Sequence, residues 1–154
     1  MSFPDIRELL PHRPPMLWID EVVAHDEDRI RCRLTVREDH VFVDDGKVEA
    51  LVAVEWVAQA VGALVGLLDR SQQLMPRPGY LIAVPEAELH VDAFAVGETL
   101  DVAVRRAWGD DSLGSFEGEV LRSDVVAVRA KLSVYRPPRD GGGPLAGVPH
   151  GATP

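Results

Sequence analysis

Two polar side chains, Glu55 and Gln59, lie four residues apart in a stretch that is otherwise apolar from Ala50 to Leu68. That spacing places both on one face of a helix. A helix that is apolar nearly all round is buried, inside either a sheet or a bilayer. A carboxyl group in such surroundings is costly unless it is neutral, paired or open to a cavity. Glu55 therefore indicates a site, and a purely structural hydrogen bond to a neighbouring strand is the alternative.

The same stretch is also just long enough to cross a bilayer. A carboxylate inside a membrane span is costly. Small residues on the helix, Gly62 and Gly66 among them, suit the close approach of other elements in a packed core. We therefore expect a core helix and no membrane partner.

Composition limits the remaining function classes. A chain of 154 residues is one domain, and 46% apolar with 27% charged residues is typical of a globular protein. A net charge of -9 argues against a nucleic-acid partner. The single cysteine, Cys32, excludes a disulfide framework, and no cysteine or histidine spacing suggests a metal site. The N-terminus lacks the apolar core of a signal peptide, which predicts a cytoplasmic location.

The elements around the helix follow from hydrophobic periodicity. Residues 4–10 predict a short helix that ends at a proline-rich turn, where we expect His12 to satisfy backbone groups. Two strands follow over 16–26 and 28–36, and four more over 80–91, 98–109, 112–123 and 125–136. This order predicts an α+β domain over residues 1–136, with one antiparallel sheet able to curl around the helix. Residues 137–154 contain ten Gly or Pro and predict a flexible tail.

Several segments resemble the β-hydroxyacyl-acyl-carrier-protein dehydratases. LLPHRPPMLWIDEVV (9–23) resembles the LLPHRxPxLLxDRV opening of that family, and LVAVEWVAQAVGAL (51–64) resembles its central helix with a catalytic Glu and a Gln four residues later. GYLIAVPEAELHVDAFAVGETLDV (79–102) is similar to a third family segment. The likeness spans about residues 5–136 and is greatest to dehydratase-like proteins of aryl-polyene-type gene clusters. The loop before the helix departs from the family, because it reads HVFVDDGKVEA and lacks the usual Pro-Gly.

The resemblance implies a hotdog fold, in which a sheet wraps the helix, and a dimer whose sites combine residues of two subunits. The partner would be a second copy or a related subunit. The implied reaction converts a 3-hydroxyacyl thioester, on acyl carrier protein or coenzyme A, into a trans-2-enoyl thioester in fatty-acid-like or polyene biosynthesis. It needs no cofactor. The implied catalytic residues are His40 and Glu55, with substrate-binding roles for Ala50, Leu51, Gln59 and Gly62.

These residues would act in distinct ways. Gln59 would fix the Glu55 carboxyl, the amides of Ala50 and Leu51 would bind the thioester oxygen, and the acyl chain would pass Gly62. An acidic chain would repel an acidic carrier protein unless a local arginine patch formed. The candidates for that patch are Arg70, Arg77, Arg105 and Arg106.

Two other functions remain open at this stage. In a hotdog thioesterase, Glu55 would activate water instead of aiding water loss. In a non-catalytic acyl-binding or partner subunit, the altered loop around His40 would reflect lost chemistry.

Overall fold

A six-stranded antiparallel sheet wraps one long helix in the computed structural model, which describes residues 2–139. The helices are α1 (Ile6–Leu9) and α2 (Ala53–Ser71), and a 3₁₀ turn at Ala50–Val52 leads into α2. The sheet order is β1-β2-β6-β7-β8-β4. Its strands are β1 (Glu21–His25), β2 (Arg29–Thr35), β4 (Tyr80–Leu89), β6 (Thr99–Gly109), β7 (Leu113–Arg122) and β8 (Val125–Tyr135). Most of the predicted tail, residues 140–154, lies outside the described residues.

The predicted periodicity in β2 and β8 is confirmed. Alternate residues of each strand face α2 and are buried, among them Ile30, Cys32, Leu34, Val128, Ala130 and Leu132. Gly118 on β7 lets the helix approach the sheet, because a Cβ at this position would lie 2.3 Å from Cγ1 of Val57. The helical segment Ala50–Ser71 is long and apolar enough to span a membrane, but 61% of its most apolar window is buried inside the protein.

A second, two-stranded ribbon lies beside the start of α2 and was not predicted. Its strands are β3 (Lys47–Glu49) and β5 (Ala93–Ala95), which pair antiparallel. Three residues are too few for an alternating pattern to stand out in a sequence. The ribbon fixes the entry to the helix, because the Ala50 amide donates to the Asp92 carbonyl over 3.0 Å at its end.

Strand β4 forms one edge of the large sheet and pairs only with β8 among the described strands. Nine of its ten residues are exposed. Several of these are large and apolar: Tyr80, Leu81, Ile82, Val84 and Leu89. Pro85 in the middle of the strand is compatible with an edge position. A long apolar edge strand is a surface on which another strand can pair.

Candidate active site

Gln59 holds the Glu55 carboxyl, and the two residues lie on one face of α2, as their four-residue spacing predicts. Its Nε2 donates to Glu55 Oε1 over 2.9 Å and to the Met16 carbonyl over 2.9 Å. Its Oε1 accepts from the Trp18 amide, also over 2.9 Å. The side chain is 1% exposed, and three bonds determine its orientation. Gln59 therefore ties the chain segment after the proline-rich turn to the helix and fixes one oxygen of Glu55.

The Glu55 side chain is 30% exposed and opens into a groove of about 300 Å³ beside α2. The end of α1, the helix itself and the start of β4 line this groove. Gly62 lies in its wall. A Cβ on Gly62 would lie 2.9 Å from Cδ2 of Leu10, so this glycine also lets the end of α1 approach the helix. Gly66 has the same effect against the Leu9 backbone.

His12 lines the same groove, which the sequence analysis missed. Its Nε2 lies 3.8 Å from Glu55 Oε1, and the His12 side chain is 33% exposed. The prediction that His12 satisfies backbone groups in its turn is wrong, because Nδ1 is buried without a hydrogen-bond partner and Nε2 faces the carboxyl. Forty-three positions separate the two residues, so only the docking of the turn on α2 brings them together.

His40 and Glu55 do not line the same groove within one chain. His40 borders a different groove, of about 410 Å³, together with Asp20 and Arg37. Its ring stacks on Trp18, with centroids 4.1 Å apart, and is only 8% exposed. Nδ1 accepts from the Arg37 amide over 3.0 Å, so a neutral ring carries its proton on Nε2.

Burial lowers the pKa of His40, and the positive charge of Arg37 acts in the same direction. The carboxylates of Asp20 and Asp39 oppose this shift but do not reverse it. The pKa of His40 therefore lies below the usual histidine value of about 6.5, so the neutral ring predominates at pH 7.

The predicted oxyanion donors require one correction. The Ala50 amide donates to the Asp92 carbonyl and so is not free to bind a substrate oxygen. Leu51 follows it in the first turn of the helical segment, and its side chain is 60% exposed. The first amides of a helix lack intrahelical partners, and the helix dipole is positive there. Leu51 therefore remains the candidate amide at this position.

The four arginines considered as a carrier-binding patch do not share one surface. Arg77 lines the Glu55 groove and pairs with Asp111. Arg105 lies in a separate groove on the sheet and pairs with Glu117. Arg70 pairs with Glu8 near the end of α2. Arg106 lines a third groove and lies over the Phe116 ring. Arg77, Arg105 and Arg106 therefore line three different grooves, and carboxylates pair with Arg70, Arg77 and Arg105.

Comparison with known proteins shows to which family the chain belongs. The family model described as ApeP-like, ApeP dehydratase, matches residues 4–142. The chain belongs to the ApeP-like dehydratase family. The 3-hydroxyacyl-[acyl-carrier-protein] dehydratase FabZ of Geotalea uraniireducens is 24% identical over 139 residues, which cover 86% of this chain and 94% of that protein. A second FabZ, from Solibacter usitatus, is 27% identical and covers 83% of this chain and 80% of that protein.

Solved structures agree with the hotdog fold. A chain of the dehydratase heterocomplex ApeI:P from Xenorhabdus doucetiae superposes with a TM-score of 0.84 at 28% identity, covering 91% of this chain and 95% of that one. The E. coli PaaI protein of the phenylacetic acid degradation operon superposes with a TM-score of 0.57 at 13% identity, over 75% and 81% of the two chains. The second likeness concerns the fold alone. The family and the fold are thus those that the sequence motifs imply.

Proposed function

We propose that this protein is a 3-hydroxyacyl-thioester dehydratase, which removes water from an acyl chain carried on acyl carrier protein or coenzyme A. The product is a trans-2-enoyl thioester for fatty-acid-like or polyene biosynthesis. The observation that carries the proposal is the Glu55 carboxyl, held by Gln59 in a groove beside the central helix of a dehydratase-family chain. A cytoplasmic location stays a prediction.

The reaction needs a base and an acid. The base takes the C2 proton, and the electron pair of the C–H bond becomes the C2=C3 double bond. The C3–O bond breaks, and the hydroxyl leaves as water after it takes a proton from the acid. We assign the acid to Glu55, because it is partly open to the groove. A positioned acid or base typically accelerates a reaction by about 10²–10⁴-fold.

We assign the base to His40 of a second subunit. His40 and Glu55 of one chain line different grooves, so a complete pair requires a dimer. The lowered pKa of His40, caused mainly by burial, favours the neutral ring that a base must have. To take the C2 proton at Nδ1, the ring must first release the Arg37 amide. The Leu51 amide at the start of the helical segment would bind the thioester oxygen.

The open edge strand supports a dimer. Pairing of β4 with the same strand of a second copy, or of a related hotdog subunit, would cover its exposed apolar side chains. The groove that holds Glu55 includes Leu81 at the start of β4, so the second subunit would also adjoin the site. The similarity to a chain of the ApeI:P heterocomplex makes a related subunit a specific candidate.

One observation favours a second candidate, a non-catalytic acyl-binding partner subunit. The only unprotonated nitrogen of neutral His40 already accepts the Arg37 amide, and Trp18 covers the ring. A histidine held in this way serves the structure unless the loop rearranges. If His40 has only a structural role, Glu55 and the groove would bind an acyl chain, and the second subunit would supply the base.

The decisive experiment incubates the purified protein with a 3-hydroxyacyl group on acyl carrier protein and follows the loss of water by mass spectrometry. Wild type should form the enoyl product, and Glu55→Gln and His40→Ala should each lose about 10²-fold or more of the rate. Glu27→Gln and His90→Ala, on exposed side chains outside the groove, are the controls and should keep it. Wild type that stays inactive even with a related hotdog subunit added would contradict the dehydratase proposal, and activity that appears only with such a subunit would favour the second candidate.

A further inference from the structure

His12 and Gln59 approach the same oxygen of Glu55. Gln59 Nε2 donates to Oε1, and His12 Nε2 lies 3.8 Å from that same atom. The second ring nitrogen of His12 has no hydrogen-bond partner, so no backbone group ties the ring in another orientation. Both side chains face Oε1 of Glu55, which leaves Oε2 to contact a substrate in the groove.

We propose that His12 is a positioning residue for Glu55, with its Nε2–H group donating to Oε1 beside Gln59. The proposal rests on the dehydratase function proposed above and deepens it. With two donors on Oε1, a protonated Glu55 carries its hydrogen on Oε2. That proton goes to the C3 hydroxyl oxygen as the C3–O bond breaks and water leaves. His12 thus determines which carboxyl oxygen delivers the proton.

The geometry allows this contact with a small movement. The separation of 3.8 Å exceeds a normal N–H···O distance by about 1 Å. Hydrogen bonds of catalytic groups are often long in structures without substrate and shorten in the complex. The other charged residues lining this groove, Asp69 and Arg77, lie near the far end of α2. Asp69 is fourteen positions from Glu55, about 21 Å along the helix axis. Glu55 is therefore the charged partner that faces the ring.

Two variants of equal length test the role of the donor. His12→Gln keeps an N–H group near the position of Nε2, and His12→Met keeps the bulk without a donor. We expect His12→Met to lower kcat about tenfold or more, with KM within about twofold, and His12→Gln to retain most of kcat. A structural role for His12 would affect both variants alike. Equal kcat values for the Gln and Met variants would overturn the proposal.

A second measurement does not depend on turnover. In protein labelled with ¹⁵N-histidine, the Nε2 signal of His12 should move in Glu55→Gln and stay in place in Glu88→Gln. The matched control is His90, whose Nε2 lies 3.4 Å from Glu88 Oε2 and whose signal should move only in Glu88→Gln. An unchanged His12 signal in Glu55→Gln would refute the proposal even in an inactive protein. An inactive wild type in which the His12 signal moves would count against the proposed function and not against the contact.

Discussion

His40 stacks on Trp18, with ring centroids 4.1 Å apart and ring planes inclined by 29°. Trp18 is fully buried and also contacts Trp56 of α2, so the histidine extends an aromatic cluster that reaches the centre of the fold. A histidine in this position contributes packing as well as a titratable group. Protonation at Nδ1 would also cost the hydrogen bond from the Arg37 amide.

Stability should therefore fall as the pH drops. The pKa of His40 is lowered by burial and by Arg37, so between that value and about 6.5 the unfolded chain binds more protons than the folded one. The free energy of unfolding is then highest above about pH 6.5 and decreases as the pH falls through 6.5 toward the folded-state pKa. We expect urea unfolding at a series of pH values between about 5 and 8 to show this decrease in the free energy of unfolding. His40→Asn, whose Oδ1 can still accept the Arg37 amide, should flatten the dependence.

His90→Asn is the control for this series, because His90 lies on the surface beside Glu88. Its profile should match that of wild type. The Asp101 carboxylate affects stability in a separate range of lower pH. Burial raises the pKa of Asp101, but hydrogen bonds from Arg33 and Arg31 outweigh the effect of burial and lower this pKa. The contribution of Asp101 is present above about pH 4 and is lost below it. A His40→Asn profile as steep as that of wild type between pH 5 and 7 would contradict the assignment.

Gln59 should be important for stability as well as for orienting Glu55. Gln59→Leu leaves the buried Trp18 amide and the partly buried Met16 carbonyl without their partner. Each unsatisfied group costs about 1–3 kcal/mol, so the free energy of unfolding should fall by about 2–6 kcal/mol in urea titrations. Gln72→Leu, on an exposed side chain after α2, should change it by less than about 0.5 kcal/mol. Similar effects of the two substitutions would show that the three bonds of Gln59 contribute little.

The contact between Gln59 and Glu55 could be predicted from the sequence because both residues lie on one helix. A separation of four positions fixes their relative placement wherever the helix lies. The alternation in β2 and β8 was equally informative, since one face of each strand packs on α2. Local periodicity thus identified the central helix and the strands of the large sheet, and it placed one pair of candidate site residues side by side.

The contacts that the sequence did not reveal depend on how elements dock. His12 reaches Glu55 because the end of α1 packs closely on Gly62 and Gly66. The Ala50 amide is occupied because the short β3–β5 ribbon brings Asp92 beside it. Neither relationship leaves a periodic pattern, because each joins residues that are about forty positions apart. Tertiary packing decides them, and a motif alone does not contain that information.

Gly118 should be sensitive to any side chain. A Cβ there would lie 2.3 Å from Cγ1 of Val57, which is fully buried on α2. Overpacking of this kind costs about 1–3 kcal/mol, so Gly118→Ala should lower the free energy of unfolding by that amount. In the double variant Gly118→Ala with Val57→Ala, the free energy of unfolding should fall by less than the sum of the two single effects, because the shortened side chain makes room for the new Cβ. A double-mutant cycle in urea measures the coupling, and strictly additive effects would argue against this contact.

The exposed edge of the sheet leads to a prediction about assembly. Ile82 on β4 is 56% exposed in the single chain, and its strand has an unpaired side. If two copies pair through β4, a charged side chain at this position should disrupt the dimer, because edge charges prevent strand pairing. We expect wild type to sediment as a dimer and Ile82→Lys as a monomer at micromolar concentration.

Val125→Lys is the matched control, since Val125 is an apolar residue that is 69% exposed, lies next to the β7–β8 turn and does not belong to the edge strand β4. It should remain a dimer. Loss of the dimer should also remove activity if His40 of one subunit serves Glu55 of the other, so Ile82→Lys is expected to be inactive although neither residue has changed. A wild-type chain that sediments as a monomer and dimerises only on addition of a related hotdog subunit would assign β4 to a heterodimer. A dimeric, active Ile82→Lys protein would exclude β4 as the contact in either assembly.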